Sequence, residues 1–260
     1  MVEFYPGFKI AVDKDNMTFI YGEDVFGPEV EKRYLDDISK SLKDFYTEGP
    51  KIPYAIAMDI GKEKDKADLN KRFLLYGAVI YAKGRLGAEP VRSQGHIHAI
   101  SPSCGTSTPE VYEIWEGEAI IYMQETAQTD PGKCFAVYAK AGEVVIVPPS
   151  WAHCTVNANP DKNMVFGAWC VRDFGFEYAD IRAHGGLAYF PILGEKYNIS
   201  WIKNDAYDTS RLVEKNVREY PEFNLQKGVP IYTQYEQKNE LFTFVTQPAT
   251  AQNIWSNYEP

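Results

Sequence analysis

Short runs of β-branched and aromatic residues, separated by turn residues roughly every 8 to 12 positions, fill the chain from about residue 72 to residue 182. This spacing is typical of a β-sandwich or β-barrel, because each run suits one strand and each cluster of Gly, Pro, Asn or Asp suits one turn. Gly117, between Glu116 and Glu118, fits a hairpin turn between two of the strands. The predicted strands are 73–82, 91–98, 110–115, 119–124, 135–139, 144–147, 154–156 and 164–171.

The segments on either side of this strand-rich region have a different pattern. Before it, apolar residues recur at helical spacing after Pro28 and predict a helix that extends to Leu42. A strand is predicted over 52–58 and a charged loop over 61–68. After it come strand-like stretches at 187–192 and 199–202, and then Pro- and Tyr-containing segments with little periodicity.

These patterns predict one globular unit with three parts. Residues 1–69 provide strands and a helix that pack on the barrel, residues 70–182 form the core domain, and residues 183–260 form an extension that wraps the barrel or contacts a second subunit.

Composition excludes several classes of partner. The net charge of -9 and the absence of a Lys/Arg stripe argue against nucleic acid, whereas an anionic small molecule needs only a few local donors. The first residues lack the charged and apolar parts of a leader, and 18 apolar residues never run together, so a cytoplasmic protein without membrane contact is expected. The four cysteines have no C-x-x-C spacing and are expected to be free thiols.

The candidate chemistry lies in three nearby motifs that contain three of the four histidines. His96 and His98 are two positions apart, so on a strand they point to the same face and can bind one ion together. Glu110 and Tyr112 follow on a second strand, and His153 follows on a third. Three imidazoles and a carboxylate suit Fe, Zn, Mn, Ni or Co and leave coordination positions free, which predicts a catalytic metal site.

The same motifs, G-H-x-H, P-E-x-Y-E-x-x-E-G-E and V-P-P-x-W-A-H-x-x-x-N, resemble those of the archaeal-type (cupin) glucose-6-phosphate isomerases over about residues 70 to 182. The resemblance implies an all-β fold, a cupin double-stranded β-helix barrel (jelly roll), and usually a homodimer. It implies His96, His98, Glu110 and His153 as ligands of one divalent metal per chain, iron first among the candidates. Glu110 and Tyr112 would then be catalytic.

The resemblance also implies a substrate. In that family, hydroxyl groups and backbone amides before the first histidine help to hold a phosphate, which corresponds here to Ser93 and Gly95, with Tyr54 and Tyr178 as further substrate contacts. The implied reaction is the interconversion of glucose 6-phosphate and fructose 6-phosphate in glycolysis and gluconeogenesis. An Fe-dependent cupin dioxygenase and a non-catalytic cupin that binds sugar phosphates are the alternatives.

Two departures from the family pattern bear on the substrate. The loop between His98 and Glu110 is longer than in the shortest family members. After the last core strand, Cys170 and Phe176 stand where a Tyr and a His are common. A polar partner for the sugar is thus missing, which affects the expected substrate more than the expected metal.

Overall fold

A computed structural model describes residues 4–208 and 210–260. The strands are β1 (Ile10–Asp13), β2 (Thr18–Tyr21), β3 (Val25–Phe26), β4 (Glu31–Arg33), β5 (Tyr54–Met58), β6 (Gly61–Lys62), β7 (Leu74–Tyr81), β8 (Arg85–Leu86), β9 (Glu89–Pro90), β10 (Ile97–His98), β11 (Glu110–Glu116), β12 (Glu118–Gln124), β13 (Cys134–Lys140), β14 (Val144–Val147), β15 (Ala152–Asn157), β16 (Met164–Val171), β17 (Phe176–Glu177), β18 (Tyr189–Leu193), β19 (Ile199–Lys203) and β20 (Leu212–Asn216).

Helices are short and lie outside the strand-rich core. The α-helices are α1 (Leu35–Ile38), α2 (Lys66–Lys71), α3 (Ala179–Ala183), α4 (Ile231–Gln237), α5 (Thr243–Thr246) and α6 (Gln252–Trp255). The 3-10 helices are Ser39–Ser41, Glu63–Asp65, Glu195–Tyr197, Pro221–Phe223, Asn239–Phe242 and Pro248–Ala251. None of the helices in the described part of the chain is long and apolar enough to cross a bilayer.

Two sheets form the barrel. The six-stranded sheet has the order β14-β11-β16-β7-β5-β4, and the four-stranded sheet has the order β15-β12-β13-β20. Strand pairs are antiparallel except for β13 with β20, and the longest ladder joins β7 and β16 from Leu74↔Val171 to Tyr81↔Met164.

Both faces of the sheets are covered. All eight residues of β7 and all eight of β16 are buried. Alternate residues of β11 pack into two different hydrophobic clusters. Tyr112 and Ile114 face into the barrel and pack in its interior, whereas Val111 and Trp115 pack against the segments that cover the outer face of the sheet. Two-sided burial explains why these strands are continuous apolar runs in the sequence rather than alternating ones.

The core strands were predicted closely and the flanking elements less so. The bounds predicted for 144–147 and 164–171 are confirmed. The predicted helix from Pro28 to Leu42 is wrong in extent, because Glu31–Arg33 pairs with β5 as an edge strand and only Leu35–Ile38 is α-helical. The segment 61–68, predicted as a loop, contains β6, a 3-10 helix and the start of α2.

The predicted hairpin at Gly117 is also wrong. Its φ of +80° makes a sharp turn, but β11 pairs with β14 and β16 whereas β12 pairs with β13 and β15. The chain therefore passes from one sheet to the other at this residue instead of forming a hairpin.

The predicted strand 91–98 is interrupted by a bulge. Arg92 lies opposite Val156 and His96 lies opposite His153. The chain advances four residues between these bridges on one strand and three residues on the other, so the first strand has one extra residue. Within the bulge the Ser93 Oγ accepts the Thr155 N–H at 3.0 Å, and Gly95 has a φ of +88°. A bulge of this kind bends the strand and re-aims the side chains that follow it, here the two histidines.

The C-terminal segment packs on the outer face of the six-stranded sheet. The Tyr258 hydroxyl donates to the Ile146 carbonyl at 2.6 Å, and the Ile231 N–H donates to Glu113 Oε1 at 2.9 Å. The rings of Trp169 and Tyr232 are stacked with centroids 5.4 Å apart.

The division of the chain into three parts at residues 69/70 and 182/183 stays a prediction.

Glu113 is a carboxyl group enclosed between this sheet and the start of α4. Its side chain is buried, and its Oε2 has no hydrogen-bond partner among the described residues. Burial raises the pKa of Glu113 to about 8, against the opposing effects of the Ile231 N–H and Trp115. The group is therefore largely protonated at neutral pH.

We expect Glu113 to make stability decrease with increasing pH. Because its pKa is higher in the folded chain than in the unfolded chain, the folded state binds more protons between about pH 4.5 and pH 8, and its stabilising effect is lost as pH rises through that window. Relative to the Glu113→Gln variant, the free energy of unfolding of the parent should fall by about 1.4 kcal/mol per pH unit. Urea denaturation at pH 6 and pH 8 measures this, with Glu29→Gln, at an exposed site, as control. Parallel pH profiles for parent and Glu113→Gln would contradict it.

Candidate functional site

Four side chains from three segments of the chain meet inside the barrel. His96 follows the bulge, His98 ends β10, Glu110 begins β11 and His153 lies in β15. One nitrogen or oxygen atom from each lies within 4.8 Å of the others. The bulge and the backbone hydrogen bonds between His96 and His153, 3.0 and 2.9 Å long, bring the first and last of these together.

The imidazoles are oriented as metal ligands usually are. His98 Nδ1 lies 2.9 Å from the Thr108 carbonyl and His153 Nδ1 lies 3.0 Å from the Trp151 carbonyl, so in each ring Nδ1–H donates and Nε2 presents its lone pair to the cluster. His96 Nε2 and His153 Nε2 are buried without a hydrogen-bond partner in the part of the chain that the structure describes. Buried nitrogens of this kind are costly unless something binds them, so the residues fit a metal.

Protonation states agree with that fit. Burial and the neighbouring His153 and His98 hold the pKa of His96 well below its ordinary value, and burial also lowers the pKa of His153. Burial opposes ionisation of Glu110, but contacts with His153 and His98 outweigh it and hold the pKa of Glu110 well below its ordinary value. Neutral imidazoles and an ionised carboxylate are the forms that ligate a metal.

Both oxygens of Glu110 are held by neighbours. The Tyr112 hydroxyl donates to Oε2 at 2.6 Å, and the same oxygen lies 3.1 Å from His98 Nε2 and 3.5 Å from His153 Nε2. The Cys170 thiol donates to Oε1 at 3.2 Å from the neighbouring strand β16. Tyr112 and Cys170 thus fix the orientation of the carboxylate from two sides.

Aromatic side chains of β17 and the residue after it cover the cluster. β17 pairs with β10, with His98 opposite Phe176. The Phe176 ring lies 4.5 Å from the His96 ring, and the Tyr178 ring lies 6.2 Å from it, centroid to centroid. An apolar ring thus stands directly beside the histidines, where the family pattern commonly has a histidine.

The predicted substrate contacts lie at different distances from the cluster. Tyr178 is adjacent to it, whereas Tyr54 lies on β5 and stacks on Tyr81 at 5.2 Å. The Ser93 hydroxyl is already bonded to the Thr155 amide. At Gly95 a Cβ would meet Leu187 Cδ1 at 2.8 Å, so packing alone already explains the glycine.

Sequence reasoning missed Arg33 and Arg182. Arg33 lies directly opposite Tyr54 in the β4–β5 pair, and the Arg182 guanidinium carbon lies 4.9 Å from the centre of the Tyr178 ring. The segment around Arg33 was predicted as a helix, which hid its pairing with Tyr54. The sequence held no local signal for either contact.

A barrel of two sheets that encloses three histidines and a glutamate defines a cupin. Residues 38–208, about two thirds of the chain, match the family model described as Glucose-6-phosphate isomerase (GPI). The chain belongs to this family, which confirms the resemblance found in the sequence motifs.

Individual relatives carry the same name at modest identity. Glucose-6-phosphate isomerase of Thermococcus litoralis is 29% identical over 154 residues, which are 59% of this chain and 72% of that protein. The enzyme of Pyrococcus abyssi is 30% identical over 152 residues, 58% of this chain and 71% of that protein. Among solved structures, recombinant oxalate oxidase in complex with glycolate is 14% identical and covers 48% of this chain and 51% of its own, with a TM-score of 0.34.

Proposed function

We propose that this chain interconverts glucose 6-phosphate and fructose 6-phosphate, with a divalent transition metal held by His96, His98, Glu110 and His153. The observation that carries the proposal is a cluster of buried imidazole nitrogens around an ionised carboxylate, in a chain of the glucose-6-phosphate isomerase family. Two of these nitrogens have no hydrogen-bond partner among the described residues. A bound metal would supply Lewis-acid stabilisation of the negative charge that develops on the sugar oxygens.

Glu110 is better placed to orient than to abstract a proton. An aldose–ketose interconversion moves one hydrogen between C1 and C2, either through a base and an enediolate or as a hydride. Glu110 as the base would have to give up the Cys170 thiol at Oε1 or the Tyr112 hydroxyl at Oε2. Its contacts therefore support the route in which Glu110 holds the ligand geometry and hydride moves directly.

Tyr112 is the candidate for the proton that moves between O1 and O2. Burial and the adjacent Glu110 raise the pKa of Tyr112 well above its ordinary value, so its hydroxyl stays protonated. It would give that proton to one sugar oxygen as it takes the proton of the other, and would therefore end the step protonated again. Deuterium content at C1 and C2 after turnover in D2O distinguishes the two routes. In the enediolate route the proton removed from carbon can exchange with solvent, so deuterium enters the product. In a hydride shift the hydrogen does not exchange, so no deuterium enters.

We infer the remaining properties from the family resemblance. Iron is the metal that we propose first, with Zn, Mn, Ni and Co as alternatives, because the ligand set suits each of them. A homodimer and a cytoplasmic location stay predictions. Ser93, Gly95, Tyr54 and Tyr178 stay the proposed substrate contacts.

Non-catalytic binding of a sugar phosphate is a second candidate function. Phe176 packs against His96 at 4.5 Å and offers no hydrogen bond to a sugar hydroxyl. A site that binds the phosphate end of the sugar but aligns the carbonyl end poorly would bind without turnover.

The test is isomerisation by the purified chain after chelation and separate reloading with Fe, Mn, Zn and Ni. We expect turnover of both sugar phosphates in at least one metal form and none after chelation. Tight binding of fructose 6-phosphate without turnover in every metal form would favour the non-catalytic function. Oxygen consumption by the ferrous form without isomerisation would instead indicate a dioxygenase.

A further inference from the structure

Arg33 lies on β4, the strand at one edge of the six-stranded sheet. Its side chain is only 20% exposed, and it pairs with one acid, Glu31, whose side chain is 63% exposed. Its register partner Tyr54 is buried and stacks on Tyr81 inside the barrel. The guanidinium is thus largely removed from water, whereas its carboxylate partner is free to swing into solvent.

Tyr178 connects this arginine to the histidine cluster. β17, just before it, pairs with β10, which places the Tyr178 ring 6.2 Å from the His96 ring. Burial raises the pKa of Tyr178, and the charges of Arg33 and Arg182 act against that rise. The Arg182 guanidinium carbon lies 4.9 Å from the centre of the Tyr178 ring. Arg182 is itself held by Gln94, whose Oε1 accepts hydrogen bonds of 3.2 and 2.8 Å from Nε and Nη2.

Charge at this position contrasts with the rest of the molecule. The chain carries a net charge of -9, yet Arg33 stands opposite Tyr54, and Arg182 lies against Tyr178, whose ring is next to the histidine cluster. Guanidinium is the side chain best suited to phosphate oxygens, because its fork of donors binds two of them at once.

We propose that Arg33, with Arg182 as a second guanidinium beside Tyr178, binds the phosphate group of the substrate and exchanges Glu31 for it. The identity of the sugar in this proposal rests on the proposed isomerase function, whereas the anion site does not. Arg33 lies outside residues 38–208, the segment that matches the family model, whereas Arg182 lies within it.

The experiment is calorimetric titration of fructose 6-phosphate and of inorganic phosphate into the metal-loaded parent, Arg33→Gln and Glu31→Gln. Loss of a charge-assisted contact should raise the Kd of Arg33→Gln for both ligands by about 10- to 100-fold, with the Kd for the metal unchanged. Removing the competing carboxylate in Glu31→Gln should lower the Kd for both ligands. In steady-state kinetics Arg33→Gln should raise KM more than it lowers kcat.

Arg85→Gln is the matched control, because Arg85 is an exposed arginine of β8. Parent-like Kd values for both ligands in Arg33→Gln would overturn the proposal. A weaker Kd for inorganic phosphate in Arg33→Gln, in a protein that isomerises neither sugar phosphate, would keep the anion site and reject the isomerase function. Arg33→Lys should recover part of the affinity, since it restores the charge without the fork.

Discussion

His153→Ala is expected to abolish tight metal binding and, with it, isomerase activity. The residue supplies a buried nitrogen with no hydrogen-bond partner among the described residues, and its Nδ1–H is fixed by the Trp151 carbonyl. Even the groups that orient metal ligands contribute about 10- to 100-fold to metal affinity, so loss of a ligand itself should cost more than about 100-fold. Metal content after gel filtration and competition with a chromophoric chelator measure this.

Two further variants keep that result interpretable. His153→Gln preserves most of the side-chain volume and should also lose the metal, which separates ligation from packing. His184→Ala is the matched control, because His184 lies outside the cluster and its Nδ1 contacts the Asp180 carbonyl at 2.8 Å. Unchanged metal affinity in a folded His153→Ala protein would show that the ligand set is wrong.

Arg92→Met is expected to destabilise the fold by about 3–5 kcal/mol, because it leaves a buried carboxylate without its counter-charge. The side chains of Arg92 and Glu89 are 2% and 3% exposed, and Arg92 Nε donates to Glu89 Oε2 at 2.6 Å. Arg92 also donates to the backbone carbonyl groups of Ser93 and Ser41 at 3.0 and 2.7 Å. Chemical denaturation of the parent and the variant measures the difference in free energy of unfolding.

An exposed pair gives the comparison. Lys14 and Glu116 also form a salt bridge, but their side chains are 43% and 44% exposed, so Lys14→Met should cost less than about 1 kcal/mol. The double variant Arg92→Met/Glu89→Met should be more stable than Arg92→Met alone, since it removes the unpaired charge. Equal losses of unfolding free energy in Arg92→Met and Lys14→Met would mean that burial does not set the energetic cost of breaking the Arg92–Glu89 pair.

The sequence predicted the central strands and the metal cluster because both depend on local spacing. Strand bounds at 144–147 and 164–171 follow from runs of β-branched and aromatic residues that end at turn residues. His96 and His98 are two positions apart, and the motifs of Glu110 and His153 are recognisable in isolation. Their convergence is then imposed by the barrel.

What the sequence did not predict depends on partners far along the chain. The bulge before His96 arises from pairing with β15, about 60 residues away. The crossing of the chain from one sheet to the other at Gly117 depends on the strands with which β11 and β12 pair. Val30, Tyr34 and Leu35 have helical spacing, but residues 31–33 form a strand because they pair with β5. Tertiary pairing overrides local propensity in each case.

The positions of the clustered residues in the two sheets have a mechanical consequence. Glu110 belongs to the six-stranded sheet and His153 to the four-stranded sheet, so one ion bound to both would fasten the walls of the barrel to each other. Occupancy by the ion and the gap between the walls then form one linked equilibrium, in which spreading the walls weakens ion binding and loss of the ion lets the walls separate.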